Sequence, residues 1–222
     1  MTSRNEGERR NQAERRAEAE RKMLAAAMDL VARKGIGAIS LTEVGQAAGY
    51  SRSLAAHYFA SRDELLTALT GQVMRSFVSR MEARALDKSP LATLTRMMEL
   101  YFADVASDST GWRVFLELLH EALVNPAIAQ GLAPLHVGAL DRIEQLISAG
   151  IASGDLRPDI DPRAEAAVIL AALRGLAGLL ITYPDNVEFR NASSALASSL
   201  VHGLRRRTAR NKATSKPPGS KT

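Results

Sequence analysis

The sequence of 222 residues predicts an all-α protein of nine or ten helices. Its long apolar patterns repeat with the period of an amphipathic helix, and no segment alternates apolar and polar residues as a half-buried strand does. Glycine, proline and N-capping residues separate these patterns. With 46% hydrophobic and 24% charged residues, the chain can form one large core or a small domain joined to a larger one.

The first two predicted helices lie within the first 48 residues. The first runs over about 13–34, and Gly35 follows as a C-terminal stop. Ser40 and Glu43 have the spacing of a capping box, in which each side chain satisfies a free backbone N–H group. This capping box predicts the start of a short helix at 41–48.

The next two helices complete a small N-terminal domain. Gly49 ends the preceding helix, and a second short helix is predicted at about 52–58. The capping-box spacing recurs at Ser61 and Glu64, which predicts a fourth helix reaching about residue 86. Two short helices joined by a tight turn are therefore enclosed between two longer ones.

Five or six further helices are predicted after residue 88. Their boundaries are marked by a serine or aspartate followed by proline, or by a glycine or an asparagine–proline pair between helices. The predicted helices are 90–106, a helix that follows Gly111, one helix or a pair up to about residue 153, 162–183 and 187–204. They predict a larger, helical C-terminal domain.

Residues 40–59 have the pattern of a helix-turn-helix motif. Gly49 permits a sharp turn at positive φ, and Gly45 allows the two short helices to approach closely. The alternative is two short polar helices that simply fold back on each other, but the two capping boxes and the spaced small residues favour the motif. The side chains expected to face inward are Val44, Ala48, Tyr50, Ala55 and Tyr58.

The second short helix carries residue types that read DNA. Ser51 is placed to cap it, which turns the free N–H groups of the helix toward a phosphate. Arg52, Ser53 and His57 then lie on the outer face. A helix fits the major groove, where arginine can bind guanine through two hydrogen bonds and a hydroxyl can donate or accept. The motif therefore predicts binding to double-stranded DNA.

The charge is divided unevenly along the chain. Residues 1–86 contain 14 basic and 10 acidic residues, and residues 87–204 contain 8 and 14. Residues 205–222 contain 7 basic residues and no acidic one. A basic N-terminal region on an acidic body predicts that only one end of the molecule meets a polyanion.

Residues 20–75 resemble the DNA-binding domain of the TetR family of bacterial repressors. The resemblance rests on the runs S-L-T-E-V-G-Q-A-A-G-Y-S-R-S and H-Y-F-A-S-R-D-E-L-L, which follow the family pattern without a gap. Within the family, the chain is similar to members whose recognition helix ends in His-Tyr-Phe, such as the choline-responsive regulators of the betaine pathway. The resemblance implies a homodimeric repressor that binds a palindromic operator and is released by a small-molecule inducer.

The same resemblance implies further DNA contacts. Ser40 and Thr42 match contact positions at the start of the first short helix, and Tyr58 and Arg62 match positions that contact the DNA backbone. We expect the signal to pass from the effector pocket through the fourth helix, which links the two domains.

Ala55 and Ala56 depart from the family pattern, which usually has leucine and tyrosine at these positions. The tyrosine is a common phosphate contact, so that role does not extend to Ala56. The missing leucine volume costs about 2 kcal/mol unless neighbouring side chains such as Leu54 and Tyr50 fill the space. We interpret the change as a character of the subgroup. The alternative is a dimeric interaction protein whose altered helix binds a protein rather than specific DNA.

The apolar helix at 163–183 is predicted to form a homodimer interface with the last helix. It is apolar around most of its circumference, as expected for burial on more than one side, and its small residues allow close packing between subunits. The alternatives are an ordinary core hairpin and a membrane span, and the charge of Arg174 argues against the span. The predicted interface residues are Ala171, Gly175, Gly178, Leu179, Leu200 and Leu204.

The C-terminal domain is also predicted to hold an effector, whose chemistry the sequence leaves open. Arg174 among apolar residues requires a carboxylate or an acidic ligand if it is buried. Trp112, Tyr101 and Glu117 could instead surround a cation. The predicted pocket residues are Met98, Tyr101, Trp112, Phe115, Glu117, His120 and Arg174, although a lone histidine on an apolar face is more often a core residue.

No set of catalytic residues is recognisable. The chain has no cysteine, its four histidines are scattered, and GSKT at the C-terminus lacks the remainder of a phosphate-binding loop. We therefore expect no enzyme activity, no cofactor and no metal. The N-terminus lacks the apolar core of a secretion signal, so the expected location is the cytoplasm, in association with the nucleoid.

These expectations divide the chain into four parts. They are an arm (1–17), a DNA-binding domain (18–78), a ligand-binding and dimerisation domain (79–204), and a disordered basic tail (205–222).

Overall fold

The computed structural model describes residues 2–82 and 89–205, with the side chains of 12–80 and 89–205. In these ranges the chain forms nine α-helices and one turn of 3-10 helix, which confirms the all-α prediction. The helices are α1 (Thr2–Lys34), α2 (Leu41–Ala47), α3 (Arg52–Tyr58), α4 (Arg62–Glu82), α5 (Pro90–Ser107), α6 (Ser109–Glu121), α7 (Pro126–Ala152), α8 (Pro162–Thr182) and α9 (Val187–Leu204), and the 3-10 turn is Ile36–Ala38.

The first helix is longer than predicted, because α1 begins at Thr2 rather than near residue 13. Its first residues lack an apolar face, but their glutamates, arginines and glutamines have high helix propensity. The packed part of α1 begins further on, with Met23, Ala27 and Val31 buried at a spacing of four residues. The basic tail beyond Arg205 lies outside the described residues.

The serine caps of both predicted capping boxes are formed, whereas the glutamates accept from the Ser40 hydroxyl and the Ala60 N–H group. The Ser40 hydroxyl accepts from the Glu43 N–H group at 3.3 Å, and the Ser61 hydroxyl accepts from the Glu64 N–H group at 3.1 Å. The Glu64 carboxylate also accepts from the Ala60 N–H group at 2.6 Å. These local hydrogen bonds set the starts of α2 and α4 at the predicted positions.

The start of α6 differs from the prediction, because Gly111 lies inside the helix rather than before it. Asp108 is the N-cap, and its carboxylate accepts from the Gly111 N–H group at 2.9 Å. A Cβ atom at Gly111 would lie 2.2 Å from that carboxylate. A side chain at position 111 would therefore displace the carboxylate that caps the helix.

The C-terminal domain is arranged around α7, which is one helix despite Pro134 in its interior. α7 lies against α4, α5, α6 and α8, and this burial compensates for the hydrogen bond that the proline cannot donate. α8 packs between α7 and α9 through Ile169, Leu173 and Ala177. α8 is long and apolar enough to cross a membrane by length and composition, and one side of it packs against α5, α6, α7 and α9.

A buried carboxylate joins three helices of the domain. Asp104 on α5 is fully buried and accepts from the Arg80 Nε atom at 2.8 Å and from the Trp112 Nε1 atom at 3.0 Å. α4 carries Arg80 near its C-terminal end and Leu65 and Leu69 in the N-terminal core. α4 therefore connects the helix-turn-helix domain to the helices that surround Trp112.

Candidate DNA-binding surface and effector cavity

The turn between α2 and α3 is tight in the way that the sequence predicts. Gly49 has φ 79°, and the Tyr50 N–H group donates to the Gly45 carbonyl at 2.8 Å. A Cβ atom at Gly45 would lie 3.0 Å from the Ala55 Cβ atom and 3.2 Å from the Ser51 carbonyl oxygen. Ala55 is completely buried. α2 approaches α3 so closely at Gly45 that position 55 has room only for a small side chain. The absence of the usual leucine therefore leaves no empty space there.

Substituting alanine for Gly45 is expected to lower the free energy of unfolding by about 1–3 kcal/mol, because one of the two contacting groups is backbone that cannot move aside. Urea denaturation followed by circular dichroism measures the change. Gly37→Ala is the matched control, since nothing lies within 4 Å of an added Cβ atom there. Equal effects of the two substitutions would show that the contact between α2 and α3 is not tight.

The structure places Arg52, Ser53 and His57 together on the exposed face of α3. The Ser51 hydroxyl accepts from the Leu54 N–H group at 3.3 Å and lies 2.9 Å from the Ser53 hydroxyl. Ser51 therefore caps α3 as predicted. Ala56 is also exposed, so the outer face presents small and polar groups beside one arginine.

Tyr58 lies at the edge of this surface rather than fully inside. Its ring is half-buried, with the Arg16 guanidinium carbon 5.8 Å and the His57 ring centroid 5.9 Å from its own centroid. Ser40 is exposed at the start of α2, and Thr42 beside it is half-buried. The contact of Arg16 on α1 with Tyr58 adds positive charge next to α3.

Arg62 is placed differently from the other predicted DNA contacts. Its Nη2 atom donates to the Ile36 carbonyl at 2.6 Å, and its Nη1 atom lies 3.6 Å from the Glu121 carboxylate. The Glu117 carboxylate accepts from the Ile36 N–H group at 3.1 Å. Arg62 and Glu117 thus hydrogen-bond to the carbonyl and N–H groups of Ile36, which the short 3-10 turn leaves unpaired. Arg62 and Glu117 therefore form the junction between the N-terminal domain and α6.

A cavity of about 390 Å³ lies among α4, α5, α6, α7 and α8. Its wall is mainly apolar and includes Phe77, Phe115, Leu135 and Leu173. A larger groove of about 590 Å³ between α5 and α9 is lined largely by hydroxyl and charged side chains. We regard the smaller cavity as the candidate effector site, because it combines an apolar wall with buried polar atoms that have no partner.

The structure brings only part of the predicted pocket together. Tyr101, Phe115 and Arg174 line the cavity. Met98 and Trp112 are buried behind this lining, and the Trp112 ring lies edge-on to both Tyr101 and Phe115.

Two predicted pocket residues lie elsewhere. Glu117 faces the 3-10 turn, and His120 is exposed. Five residues of helix place Glu117 about 140° around α6 from Trp112, so the two side chains leave the helix on different sides. Trp112, Tyr101 and Glu117 therefore do not form the cage for a cation that the sequence allowed.

Two buried polar atoms close to Arg174 lack a hydrogen-bond partner, and one of them, on Tyr101, lies in the cavity wall. The Tyr101 hydroxyl and the His136 Nε2 atom are buried without a hydrogen bond. Burial raises the pKa of the Tyr101 hydroxyl, and the charge of Arg174 opposes part of that rise. Burial, and then the charge of Arg174, lower the pKa of His136.

The guanidinium of Arg174 lies near both groups, and burial lowers its pKa. Among the residues that the structure describes, its neighbour is the ring of Phe115, with the Cζ atom 5.9 Å from the ring centroid, and it forms no ion pair. This end of the cavity is therefore electropositive and incompletely hydrogen-bonded. Sequence reasoning identified Tyr101 and Arg174. It did not single out His136, which lies outside the lining but close enough for the charge of Arg174 to lower its pKa.

The outward face of α8 carries most of the predicted dimer residues. Ala171, Gly175 and Leu179 are exposed and Gly178 is half-buried, with nothing within 4 Å of a Cβ atom added at either glycine. Leu204 does not belong to this surface, because it is 2% exposed and packs inside the chain. Its carbonyl accepts from the Arg157 N–H group, which ties the end of α9 to the loop before α8.

The other predicted residue of α9, Leu200, is half-buried. Val168, which the sequence prediction omitted, is exposed one turn before Ala171. Val168, Ala171, Gly175, Gly178 and Leu179 therefore form an exposed stripe of small and apolar residues, which we call the α8 stripe.

A capped, exposed helix on a tight glycine turn, joined to a helical domain with an internal cavity, defines the class of helix-turn-helix transcriptional regulators. Residues 23–69 match the family model for bacterial regulatory proteins of the tetR family. Residues 90–206, more than half of the chain, match the model for the C-terminal domain of BetI-type transcriptional repressors. The chain belongs to the TetR family and has a BetI-type C-terminal domain. It is a DNA-binding transcriptional regulator and not an enzyme.

Similarity to individual proteins extends over most of the chain. The HTH-type transcriptional regulator RutR of Escherichia coli K12 is 25% identical over 194 residues, which cover 83% of this chain and 90% of RutR. A TetR transcription regulator from Haloarcula marismortui has a TM-score of 0.75 at 16% identity, with 86% of this chain and all of that chain covered. FadR from Bacillus subtilis, solved in complex with stearoyl-CoA, has a TM-score of 0.71 at 20% identity. The match covers 83% of this chain and 98% of the FadR chain. The two solved structures show the shared fold.

Proposed function

We propose that the chain is a homodimeric, ligand-responsive repressor that binds a palindromic operator. The observation that carries the proposal is the exposed face of α3, where Arg52, Ser53 and His57 lie together on a helix capped by Ser51. Ser40, Thr42 and Tyr58 flank this face and are proposed to contact the DNA backbone. A protein with this surface acts at the chromosome, in the cytoplasm.

The dimer is proposed to form through the α8 stripe together with Leu200 of α9. Small residues on the stripe allow two copies of α8 to approach closely, and an exposed apolar surface of this kind is stabilised by contact with a second copy. Two-fold symmetry would place two α3 helices about 34 Å apart, which is one turn of DNA. This spacing is the reason for expecting a palindromic operator.

Effector binding is proposed to act through α4 and α6. Phe77 of α4 and Phe115 of α6 line the cavity, and α6 continues to Glu117 and Glu121 at the domain junction. A ligand that shifts α6 would change the support of the 3-10 turn and of Arg62. We therefore assign Arg62 to domain coupling rather than to a free phosphate contact. A coupling free energy of about 1–3 kcal/mol would suffice to release the operator.

Selection of genomic DNA fragments by the purified protein tests the proposed function. We expect enrichment of a palindrome, with affinity for it well above the affinity for unrelated DNA at physiological salt. Binding without sequence preference would contradict the repressor. It would favour instead the alternative in which α3 contacts a protein partner, with the exposed Ala56 as part of that contact.

Replacing Arg52 with alanine is expected to cost about 1–3 kcal/mol of operator affinity and to relax the preference at one base step, because a guanine contact would be lost. Fluorescence anisotropy with operators changed one base at a time measures both effects. Arg96→Ala is the control, since Arg96 is an exposed arginine on α5 that pairs with Glu99. A uniform loss on every sequence would show that Arg52 contacts a phosphate and reads no base.

A further inference from the structure

The cavity contains a positive charge that nothing in the described part of the chain neutralises. Arg174 is half-buried in the wall, and partial removal of a guanidinium from water without an anionic partner costs free energy. The cation–π contact with Phe115, at 5.9 Å, compensates only part of that cost. Arginine in such a position is suited to a carboxylate or phosphate group, which it binds through two parallel hydrogen bonds.

A second group in the same wall also lacks a partner. Tyr101 is 6% exposed, and its hydroxyl is buried without a hydrogen bond. A buried hydroxyl that makes no hydrogen bond costs free energy, and a ligand oxygen would remove that cost. Tyr101 is on α5 and Arg174 is on α8, so an acceptor between them would be held from two sides.

The remaining charged groups at the cavity do not favour a cation. Asp141 is a lining carboxylate, but it pairs with Arg163 at 2.5 Å, and Arg163 also binds Glu144 at 2.8 Å. Asp104 lies behind Tyr101 and accepts from Arg80 and Trp112. Arg142, which is exposed and also lines the cavity, adds a second positive charge. A cationic effector would meet Arg174 with no free carboxylate among the described lining residues.

We propose that the effector of this regulator is an amphipathic carboxylate, with its anionic group held by Arg174 and Tyr101 and its hydrocarbon part held by the apolar wall. The inference rests on the proposed function and specifies the ligand class of the same cavity. A volume of about 390 Å³ holds on the order of a dozen non-hydrogen atoms at ~30 Å³ each. This corresponds to a carboxylate with a chain of about ten carbons.

Calorimetric titration of the full-length protein with straight-chain carboxylates of graded length, including decanoate, tests the proposal. We expect decanoate to bind, and decan-1-ol and decyltrimethylammonium to bind much more weakly or not at all. Decanoyl-CoA distinguishes a free carboxylate from a thioester, because its chain has no carboxylate for Arg174. Failure of every carboxylate to bind, or stronger binding of the ammonium or of the thioester, would overturn the proposal.

Variants locate the anionic group. Arg174→Met is expected to weaken decanoate binding by about 10- to 100-fold, the effect of losing one or two charge-assisted hydrogen bonds. Arg174→Lys keeps the charge and should lower the affinity for decanoate less. Tyr101→Phe removes one oxygen atom and should lower that affinity about 5- to 10-fold. Arg96→Met is the control for a general loss of positive charge, because Arg96 is exposed on α5 and does not line the cavity, and it should change the affinity by less than about twofold. Equal affinity of Arg174→Met and the wild type would contradict the assignment.

The melting temperature of the Arg174→Met variant tests the proposal by a measurement that needs no ligand. Arg174→Met should raise the melting temperature of the free protein, since it removes an unpaired charge from an apolar wall. A lower melting temperature would show that the contacts of Arg174 in the free protein, such as that with Phe115, outweigh the cost of its unpaired charge, which contradicts a guanidinium that needs a ligand.

Operator binding in the absence of ligand separates this proposal from the proposed function. The Arg174→Met protein is expected to select the same DNA fragments as the wild type and to stay bound when decanoate is added. A wild-type protein that binds its operator but is not released by any carboxylate would overturn the effector class and leave the DNA-binding function standing.

Discussion

Replacing Asp104 with alanine is expected to lower the free energy of unfolding by about 3 kcal/mol. Asp104 is fully buried and accepts from Arg80 at 2.8 and 3.1 Å and from Trp112 at 3.0 Å. Without it, the Trp112 N–H group is buried with no partner. The loss on the Arg80 side is smaller, because Arg80 is 31% exposed and keeps Asp108 at 3.3 Å.

Urea denaturation at a fixed protein concentration measures this change, since a dimer's stability depends on concentration. Glu99→Ala is the matched control. Glu99 is a carboxylate on the same helix whose ion pair with Arg96 is more than half exposed, and such pairs contribute under about 1 kcal/mol. The loss of unfolding free energy for Asp104→Asn should lie between those for Asp104→Ala and Glu99→Ala, because the amide oxygen can still accept a hydrogen bond from Trp112. If Asp104→Ala cost no more than the control, α4, α5 and α6 would not be held by this network.

Replacing Leu179 with glutamate is expected to convert the proposed dimer to a monomer and to lower operator affinity by at least about 100-fold. Leu179 is 40% exposed in the single chain and lies on the α8 stripe. In a symmetric dimer each substitution occurs twice, and each carboxylate would be buried without a partner. A monomer contacts only one half-site of the operator, so it loses the additional affinity that two linked half-site contacts provide.

Sedimentation equilibrium measures the oligomeric state, and anisotropy with a full palindrome and with a single half-site measures the binding. The wild type should prefer the palindrome strongly, whereas Leu179→Glu should bind both DNAs with similar, weak affinity. Leu123→Glu is the control, because Leu123 is 78% exposed in the turn between α6 and α7, away from the α8 stripe. Loss of the dimer in the Leu123 variant alone would place the interface elsewhere.

Features that depend on neighbouring residues could be predicted from the sequence. The capping boxes, the positive φ of Gly49 and the cap on α3 involve groups within four residues of each other, so spacing is sufficient to recognise them. The start of α6 was missed because Asp108 and Gly111 form a cap that the pattern of apolar residues does not reveal. The extension of α1 was missed because it has no apolar face.

Contacts between distant residues could not be predicted in this way. Glu117 lies 81 positions from Ile36, yet these residues share a hydrogen bond, and Arg62 is drawn to the same turn. From the sequence, Glu117 is a candidate pocket residue and Arg62 a candidate phosphate contact. Only the packing of α6 against the N-terminal domain shows that both belong to the junction.

The sequence by itself determined the helical class, the helix-turn-helix motif and the face of α3 that presents Arg52, because each depends on helical periodicity and on local hydrogen bonds. The tertiary structure decided why Ala55 is small, where Leu204 packs, and which polar groups meet at the cavity. Tyr101 and Arg174 lie 73 positions apart, and the lack of partners for their polar groups is a property of the packed helices. For that reason the sequence left both a cation and an anion open as effectors, and the structure favours the anion.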